Sequence, residues 1–460
     1  MTKKYVGLLL VLALVALFVV PVSAQDLLFP IGEDDTFSWD SLDAFNDIDL
    51  SGEEVTVAGP WLTADQDSFE NVIAYFEEAT GADIVYSGSD GFEQQIIIDI
   101  EAGSPPNIAA FPQPGLAANV AAGGGLVPLG DDFRDFTLEN YAAGESWVDL
   151  GTYADEAGED NFYGFFYNVN LKSLVWYSPD NFADAGYEIP QTMEELLALT
   201  DQIVADGGTP WCIGLGSGDA TGWPATDWIE DIMLRTAEPS VYDDWVSHDI
   251  PFNSPEIVTA IDIFGSFAKN DDYVNGGRTA VAGTDFRDAP NGLFEIPPQC
   301  YMHKQASFIP AFFPEGTEVG VDVDFFYFPA FSEDNADFGG FGTPVMGAGT
   351  LLAITEDSEA TRVFMDFMAT PLAHELWMAQ NAFLTPHMGV NLDAYATDIL
   401  RGQGEILLGA STFRFDASDL MPGAIGAGAF WSGMVDYVSQ ENLTAEEAAT
   451  QIEEAWAGLN

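Results

Sequence analysis

Acidic side chains dominate the reactive groups of this sequence. Its 460 residues include 75 Asp and Glu, 12 Lys and Arg, 4 scattered His and 2 Cys. A glycosidase needs two carboxyl groups on opposite sides of the scissile bond, but chance pairs are certain in so acidic a chain, and nothing selects one. No G-x-S-x-G nucleophile motif occurs, and the glycine-rich residues 214–218 lack the lysine of a phosphate-binding loop. The sequence therefore predicts neither a catalytic site nor a cofactor.

The first 24 residues have the pattern of a secretory signal peptide. Lys3 and Lys4 precede an apolar run at 7–20, and small residues at 22–24 suit a signal peptidase. The alternative is a membrane anchor, but the run is short for a span and ends at Pro21. No cysteine lies near the cut, which excludes lipid attachment there. We therefore expect a soluble periplasmic or secreted protein without a membrane span.

The two cysteines suit such a compartment. The chain has an even number of cysteines, Cys212 and Cys300, and an oxidising compartment favours one disulfide between them. The bond would stabilise the fold by roughly 4–5 kcal/mol in the chain-entropy model. The alternative is a pair of buried free thiols. His303 follows Cys300 closely, but the three residues lack the paired spacing of a zinc site, so no metal site is predicted.

The formal net charge of −63 limits the possible partners. Binding to a nucleic-acid backbone needs a basic surface, and adsorption to an anionic membrane needs one too, so neither is expected. Removing residues 1–24 takes away two lysines and no acid, which leaves 436 residues with a net charge of −65. An apolar content of 47% is nevertheless sufficient for a folded core.

Strands alternate with helices along most of the chain. Residues 25–52 are acidic and irregular, and we expect them to form a solvated N-terminal extension. A strand at 54–58, a helix that starts at Asp67 or Ser68 and stops at Gly81, and a strand at 82–86 then form a βαβ unit. Thr192 and Thr444 open capping boxes of later helices. The pattern predicts an α/β fold.

Several aromatic residues lie in loops at strand ends or helix entries, where open α/β sheets bind ligands. Trp61, Trp223, Phe308 and Trp431 are the main examples. Aromatic faces that stack on C–H groups, with polar neighbours for hydroxyls, suit a sugar. The alternative for each ring is packing in the core.

The chain resembles a known family, the solute-binding proteins of carbohydrate ABC transporters, which includes maltose-binding protein. The resemblance covers the mature chain, and it is carried by the strand–Trp61–helix unit and by residues 105–111, 163–170, 174–177, 190–196 and 364–371. Three stretches are closer to the α-glucoside-binding branch: 211–214 with 222–231, 300–310 and 414–422.

The resemblance implies two α/β lobes, three crossovers between them and a ligand cleft at their boundary. We expect crossovers near 166, 327 and 371. The N-lobe would then hold 53–165 and 328–371, and the C-lobe 166–327 and 372–460.

The resemblance also implies a set of ligand-binding positions. Carried over by position, they are Trp61, Asp65, Asp90, Gln113, Trp223, Asp227, Phe308 and Trp431. Arg414 is added on its own chemistry, because it is a rare cation here and a bidentate donor for vicinal hydroxyls. The alternative for Arg414 is an ion pair with Asp416 or Asp419.

These features lead to one functional hypothesis and two alternatives. The chain is expected to be a monomeric binding protein, not an enzyme, that captures a small carbohydrate such as an α-glucoside and delivers it to the permease of an ABC importer. The first alternative is a secreted glycoside-processing enzyme. The second keeps the fold but binds another solute, such as a polyamine.

The acidity generates a prediction about salt. Self-repulsion at this charge destabilises the compact state, and NaCl shortens the Debye length from about 30 Å at 0.01 M to about 3 Å at 1 M. We therefore expect the melting temperature of the sugar-free protein to rise over that range. A flat or falling melting temperature in thermal unfolding would show that the acids are already spaced far enough apart.

Overall fold

The computed structural model describes residues 27–89, 91–342, 344–380, 383–410 and 412–459. The expected signal peptide at 1–24 lies outside these ranges. The strands are β1 (Glu54–Gly59), β2 (Asp83–Gly88), β3 (Ile108–Phe111), β4 (Thr152–Ala154), β5 (Asp160–Phe162), β6 (Gly164–Leu171), β7 (Leu174–Tyr177), β8 (Met302–Lys304), β9 (Asp324–Tyr327), β10 (Val345–Ile354) and β11 (Phe413–Phe415).

Helices connect and cover these strands. They are α1 (Ala64–Thr80), α2 (Phe92–Glu101), α3 (Pro114–Ala122), α4 (Asp131–Asn140), α5 (Gly144–Leu150), α6 (Pro179–Ala185), α7 (Met193–Ala205), α8 (Trp223–Thr236), α9 (Pro239–Val246), α10 (Pro255–Ala268), α11 (Gly277–Gly283), α12 (Glu359–Met368), α13 (Pro371–Met378), α14 (Asp398–Leu408), α15 (Ala417–Leu420), α16 (Trp431–Ser439) and α17 (Ala445–Ala457). Within the described ranges, no helix combines the length and the apolar character that crossing a membrane requires.

Two sheets define two lobes, as the family resemblance implied. In the N-lobe sheet, β2, β1, β3 and β10 are neighbours in that order. Strands β3 and β11 pair with opposite ends of one edge of β10, and β6 pairs with its other edge. Strands β1, β2 and β3 are parallel, and β10 runs antiparallel to β3. The C-lobe sheet is antiparallel with the order β8-β7-β9, and most of the C-lobe core is helical, with α8 packed against α10.

The chain passes between the two sheets three times. The first crossover is residues 172–173, between β6 and β7. The second crossover is residues 328–342 and 344, between β9 and β10. The third crossover is residue 416, after β11. Among the described residues, we therefore propose an N-lobe of 27–89, 91–171, 345–380, 383–410 and 412–415, and a C-lobe of 174–327 and 417–459. The second crossover starts beside the expected position near 327, and the first lies a few residues beyond 166.

The third crossover lies at 416 rather than near 371. The reason is that the helices after 371 pack on the N-lobe. Helix α13 contacts α1, and the Tyr167 hydroxyl donates to the Ala373 carbonyl oxygen at 2.6 Å. After α14 the chain then adds β11 to the N-lobe sheet beside β10.

The N-terminal segment also differs from its expectation. We expected residues 25–52 to be a solvated extension, but Phe37, Leu42 and Phe45 are buried against the N-lobe. The Ser38 amide and hydroxyl both donate to the Glu375 carboxylate, at 2.6 and 2.8 Å. The aromatic residues among the acids supply the apolar surface that anchors this segment.

Local sequence signals account for several details of the fold. Thr444 and Glu447 form the expected capping box of α17, and the Thr192 side chain accepts from the Glu195 amide at the start of α7. Helix α1 starts at Ala64, earlier than the expected cap at Asp67 or Ser68. The predicted disulfide between Cys212 and Cys300 is confirmed, with both residues buried and their Cα atoms 5.4 Å apart.

Buried histidines generate a prediction about acid stability. Burial lowers the pKa of His303 to about 4, and burial also lowers the pKa of His387 to about 4. An unfolded histidine has a pKa of about 6.5, so the unfolded state binds more protons than the folded state between these values. These two residues therefore cost stability as the pH falls from about 6.5 towards 4.

We expect the variants His303→Asn and His387→Asn to lose less stability on acidification than the parent protein. Asparagine can retain the Nδ1 contacts, with the Cys212 carbonyl at 2.7 Å and with the Gly389 amide at 2.9 Å. Between pH 7 and pH 5 each variant should lose about 1–2 kcal/mol less free energy of unfolding. Urea unfolding at the two pH values measures this difference, and equal losses in variant and parent would contradict the prediction.

Candidate functional site

A cavity of about 820 Å³ lies between the two lobes. The N-lobe contributes the start of α2 and the start of α3, and the C-lobe contributes segments from four parts of the chain. The described lining residues are Gly91, Glu93, Gln94, Gln113, Leu116 and Asn119 from the N-lobe, and Ser217, Gly218, Ala220, Arg287, Ser418, Asp419, Met421, Gly423, Ala427 and Trp431 from the C-lobe. This size and position suit a small ligand held between two bodies.

The N-lobe wall follows from the direction of its strands. Because β1, β2 and β3 are parallel, their carboxyl ends share one edge of the sheet, and α2 and α3 begin there. Gln113 is the last residue before α3, and its Nε2 donates to Glu93 Oε1 at 3.2 Å. The Gln113 Oε1 atom is buried without a hydrogen-bond partner in the described structure. The wall thus presents amides that are ready for further hydrogen bonds.

The C-lobe wall is formed by Trp431 and its neighbours. Trp431 opens α16 directly after a π-helix at Ala424–Phe430, and its side chain is only 9% exposed. Its indole Nε1 donates to Ser418 Oγ at 3.1 Å. Gly222 has φ +118° beside it, and a Cβ at that position would collide with the Trp431 backbone. A glycine at the entry to α8 therefore lets that helix approach this wall closely.

A second aromatic group adjoins this wall. The ring centroid of Trp223 is 4.9 Å from that of Phe286 and 6.0 Å from that of Phe308. The Arg287 guanidinium, which lines the cavity, lies 4.3 Å from the Phe286 ring centroid. The group therefore supports a cationic donor at the cavity edge through a cation–π contact.

Several acidic side chains lie close together beneath the C-lobe wall, and each affects the pKa of the others. Burial raises the pKa of Glu230 and of Asp419 well above their ordinary values, and the nearby charge of Asp416 raises both further. Burial would also raise the pKa of Asp416, but Lys172 and several hydrogen bonds hold it at about 2. Burial thus favours the protonated form of Glu230 and of Asp419, and Asp419 lines the cavity.

Three buried acidic side chains at this wall lie close enough together to be considered as a metal site. Asp227, Glu230 and Asp416 each offer an oxygen within 4.8 Å of the others. However, the Lys172 ammonium already lies among them, 3.0 Å from Asp227 Oδ2 and 3.1 Å from Asp416 Oδ2. A positive charge is thus supplied by the chain itself, and it opposes a second cation at the same place.

Two of the nine positions expected from the sequence line the cavity, namely Gln113 and Trp431. Trp223 and Phe308 lie beside it in the aromatic group, and Asp227 lies beneath its wall. These five positions remain proposals for ligand binding or its support. Asp90 lies outside the described residues.

The other three expected positions lie away from the cavity lining. Trp61 is 6% exposed in the N-lobe core, where its ring centroid is 5.0 Å from that of Trp377. Asp65 is exposed in the first turn of α1. Arg414 forms a two-point contact with Asp243 at 2.6 and 2.8 Å, not with Asp416 or Asp419. The geometry therefore removes Trp61 and Arg414 from the proposed contact set.

Sequence reasoning missed several lining residues. Glu93 and Gln94 start a helix directly after a parallel strand, which is a signal that could have identified them. Ser217 lies in the glycine-rich stretch that was considered only for phosphate binding. Arg287 reaches the cavity only through the tertiary fold. No sequence motif around it indicates a ligand-binding role.

Comparisons with known proteins show which family the chain belongs to. A family model described as bacterial extracellular solute-binding protein matches residues 59–374. The chain is 56% identical over 437 residues to the alpha-glucosides-binding periplasmic protein AglE of Rhizobium meliloti (strain 1021), covering 95% of this chain and 94% of that protein. It is also 42% identical over 408 residues to the osmoprotective compounds-binding protein GgtB of Synechocystis sp., covering 89% and 93%.

The fold is shared with solved sugar receptors. The structure of the bacterial solute receptor AcbH, described as having an exclusive preference for β-D-galactopyranose, superposes with a TM-score of 0.73 at 19% identity. That match covers 89% of this chain and all of that one, and it supports the two-lobed architecture. With a family model across most of its length and a close relative along nearly all of it, the chain belongs to the bacterial extracellular solute-binding protein family.

Proposed function

We propose that this protein captures an α-glucoside or a similar small neutral oligosaccharide in the cavity between its lobes and delivers it to the permease of an ABC importer. The observation that carries the proposal is the cavity itself, which takes amides from one lobe and an aromatic wall from the other. The 56% identity to a protein named for α-glucoside binding supports this class of ligand.

The chemistry of the lining favours a neutral polyol. Gln94, Gln113 and Asn119 can each donate and accept hydrogen bonds, as vicinal hydroxyls require. Trp431 is largely buried, but it lines the cavity, where its ring offers an apolar surface to the C–H face of a sugar ring.

Charge argues against the polyamine alternative. Among the described lining residues the charged types are Glu93, Asp419 and Arg287. Burial raises the pKa of Asp419, which makes its carboxyl group a weaker partner for a cation, and the Arg287 guanidinium repels an ammonium group. A polycation would therefore meet the Glu93 carboxylate on the N-lobe side of the cavity and the repelling Arg287 guanidinium on the C-lobe side. The enzyme alternative is disfavoured by the relatives, which are named as binding proteins.

The family description, extracellular solute-binding protein, indicates that this protein functions outside the cytoplasm. We further propose that residues 1–24 are removed as a signal peptide and that the mature chain functions in the periplasm. The periplasmic location of the relative AglE supports this. Amino-terminal sequencing of the exported protein tests the cleavage site, and a retained Met1 would contradict it.

The proposed ligand class predicts stabilisation by sugars. A ligand that binds only the folded state raises the free energy of unfolding by RT ln(1 + [L]/Kd), about 2.7 kcal/mol at a concentration of 100 Kd. We expect maltose, trehalose or sucrose to raise the melting temperature, and spermidine at equal ionic strength to leave it unchanged. The sugar should be recovered intact by chromatography. Stabilisation by spermidine alone would favour the polyamine alternative, and cleaved sugar would favour an enzyme.

Two tryptophans form a matched pair for testing the cavity. Trp431→Ala should weaken sugar binding by about 1–3 kcal/mol, because the ring would no longer be buried against the ligand. Trp61→Ala removes a core ring and should cost about 3–5 kcal/mol of stability, while the protein that remains folded keeps its affinity. Calorimetric titration and urea unfolding separate the two effects. Equal affinity in Trp431→Ala and the parent would remove that ring from the site.

The two-lobed arrangement also predicts closure. If both walls contact one ligand, saturating sugar should lower the radius of gyration in X-ray scattering, because the lobes rotate together about the crossovers. An unchanged scattering profile in protein that calorimetry shows to be saturated would count against the clamp.

A further inference from the structure

A network of buried charges joins the crossovers to the cavity wall. Lys172 lies in the first crossover and is almost completely buried. Its Nζ donates to both carboxylate oxygens of Asp227, each at 3.0 Å, and lies 3.1 Å from Asp416 Oδ2. Asp227 belongs to α8, and Asp416 is the third crossover. One ammonium group thus links two chain crossings to a C-lobe helix.

The network continues to the cavity through one serine. Asp416 Oδ1 accepts from the Ser418 hydroxyl at 2.8 Å and from the Ser418 amide at 3.1 Å. Ser418 Oγ in turn accepts from the Trp431 indole at 3.1 Å. The position of this cavity-wall ring therefore depends on Asp416, whose position depends on Lys172.

The second crossover is attached to the same helix. The Arg235 guanidinium of α8 donates to the Phe328 carbonyl oxygen at 3.0 and 2.8 Å. The Phe328 amide donates to the Ser173 carbonyl oxygen at 2.7 Å, which connects the second crossover to the first. Asp231, also on α8, accepts from the Ser173 hydroxyl at 2.8 Å. Helix α8 therefore contacts all three crossovers through buried polar groups.

Buried ion pairs of this kind contribute little to net stability, because desolvation offsets most of their attraction. Their geometry, however, is strict: removing one partner leaves an uncompensated charge that forces its neighbours to move or to take up a proton. A network placed at the crossovers is therefore suited to fixing relative positions.

We propose that Lys172 is a positioning residue that couples movement of the lobes to the sugar cavity, by holding Asp416 at the third crossover and, through Ser418, the Trp431 wall. The inference rests on the proposed function, because one of its two readouts is sugar affinity. Lys172 itself need not touch the ligand.

A second buried lysine provides a matched control. Lys304 on β8 pairs with Asp231 at 3.0 Å, and both residues lie in the C-lobe. Without Lys304, Asp231 keeps its ion pair with Arg235, so the contacts to the crossovers remain. Lys304 and Lys172 are alike in type and burial, but only Lys172 contacts the third crossover.

The experiment compares Lys172→Met with Lys304→Met in the mature full-length protein. Calorimetric titration gives the affinity for the sugar that most raises the melting temperature of the parent protein. X-ray scattering without sugar gives the radius of gyration. Lys172→Met should weaken affinity on the order of tenfold, within the range of coupling between linked sites, and should change the radius of gyration of the sugar-free protein. Lys304→Met should change the affinity less than about twofold, although both variants lose stability. Lys304 reaches the network only through Asp231 Oδ2 and the Asp227 carbonyl oxygen, at 3.0 and 3.3 Å, and does not contact Asp416 or Ser418.

Two further variants sharpen the comparison. Lys172→Arg retains the charge and should recover part of the lost affinity. Asp416→Asn should weaken binding as Lys172→Met does, and it serves as the test if Lys172→Met does not fold. Unchanged affinity or unchanged sugar-free scattering in the folded variant, or equal losses in Lys304→Met, would overturn the proposal. If the parent binds none of the sugars, the proposed function fails, while scattering of the sugar-free variants still decides the role of Lys172.

Discussion

The Lys172 ammonium between Asp227 and Asp416 is the contact that the two-lobed arrangement depends on most directly. Any chain that passes between two bodies must bring polar backbone and side chains into the interior at the crossing, and each such group needs a partner. Here the three crossings are gathered against one helix, α8, by hydrogen bonds and ion pairs instead of apolar packing alone. Apolar surfaces can slide past one another, whereas these hydrogen bonds and ion pairs form in few geometries. The crossovers are therefore defined points about which the lobes can rotate.

The cavity follows from the same construction. The parallel strands of the N-lobe place the starts of α2 and α3 at the inner edge of the sheet, which gives one wall. The other wall begins immediately after the third crossover, since Ser418 and Asp419 are only two and three residues from residue 416. The third crossover and the C-lobe wall of the cavity are therefore built from adjacent residues. A movement of the crossover shifts the wall through the covalent chain as well as through hydrogen bonds. A solute that bridges the two walls can only stabilise the arrangement in which both reach it.

Much of this architecture is predictable from the sequence, and the exceptions have physical reasons. Periodicity and caps predicted the α/β elements, and the even cysteine count predicted the Cys212–Cys300 bond, because these signals are local or compositional. Trp61 and Trp431 lie in similar loop contexts, yet one ring is in the N-lobe core and the other lines the cavity. Which of the two rings lines the cavity depends on residues distant in sequence, such as Trp377 beside Trp61. The third crossover was misplaced for the same reason, since only the pairing of β11 with β10 shows where the chain leaves the N-lobe.

The scarcity of cations makes the interior network more informative than it would be in an ordinary protein. Twelve Lys and Arg residues face 75 acids, so a surface cation anywhere would relieve repulsion at little cost. Yet Lys172, Arg235 and Lys304 are all buried beside carboxylates of one helix. Each pays a desolvation penalty there and leaves the surface more acidic than the composition requires. General solubility and general stability would both be served better by placing these charges outside. Their burial at α8 is therefore best explained by geometry, because the hinge and the cavity wall need charges held at fixed positions more than the surface needs neutralisation.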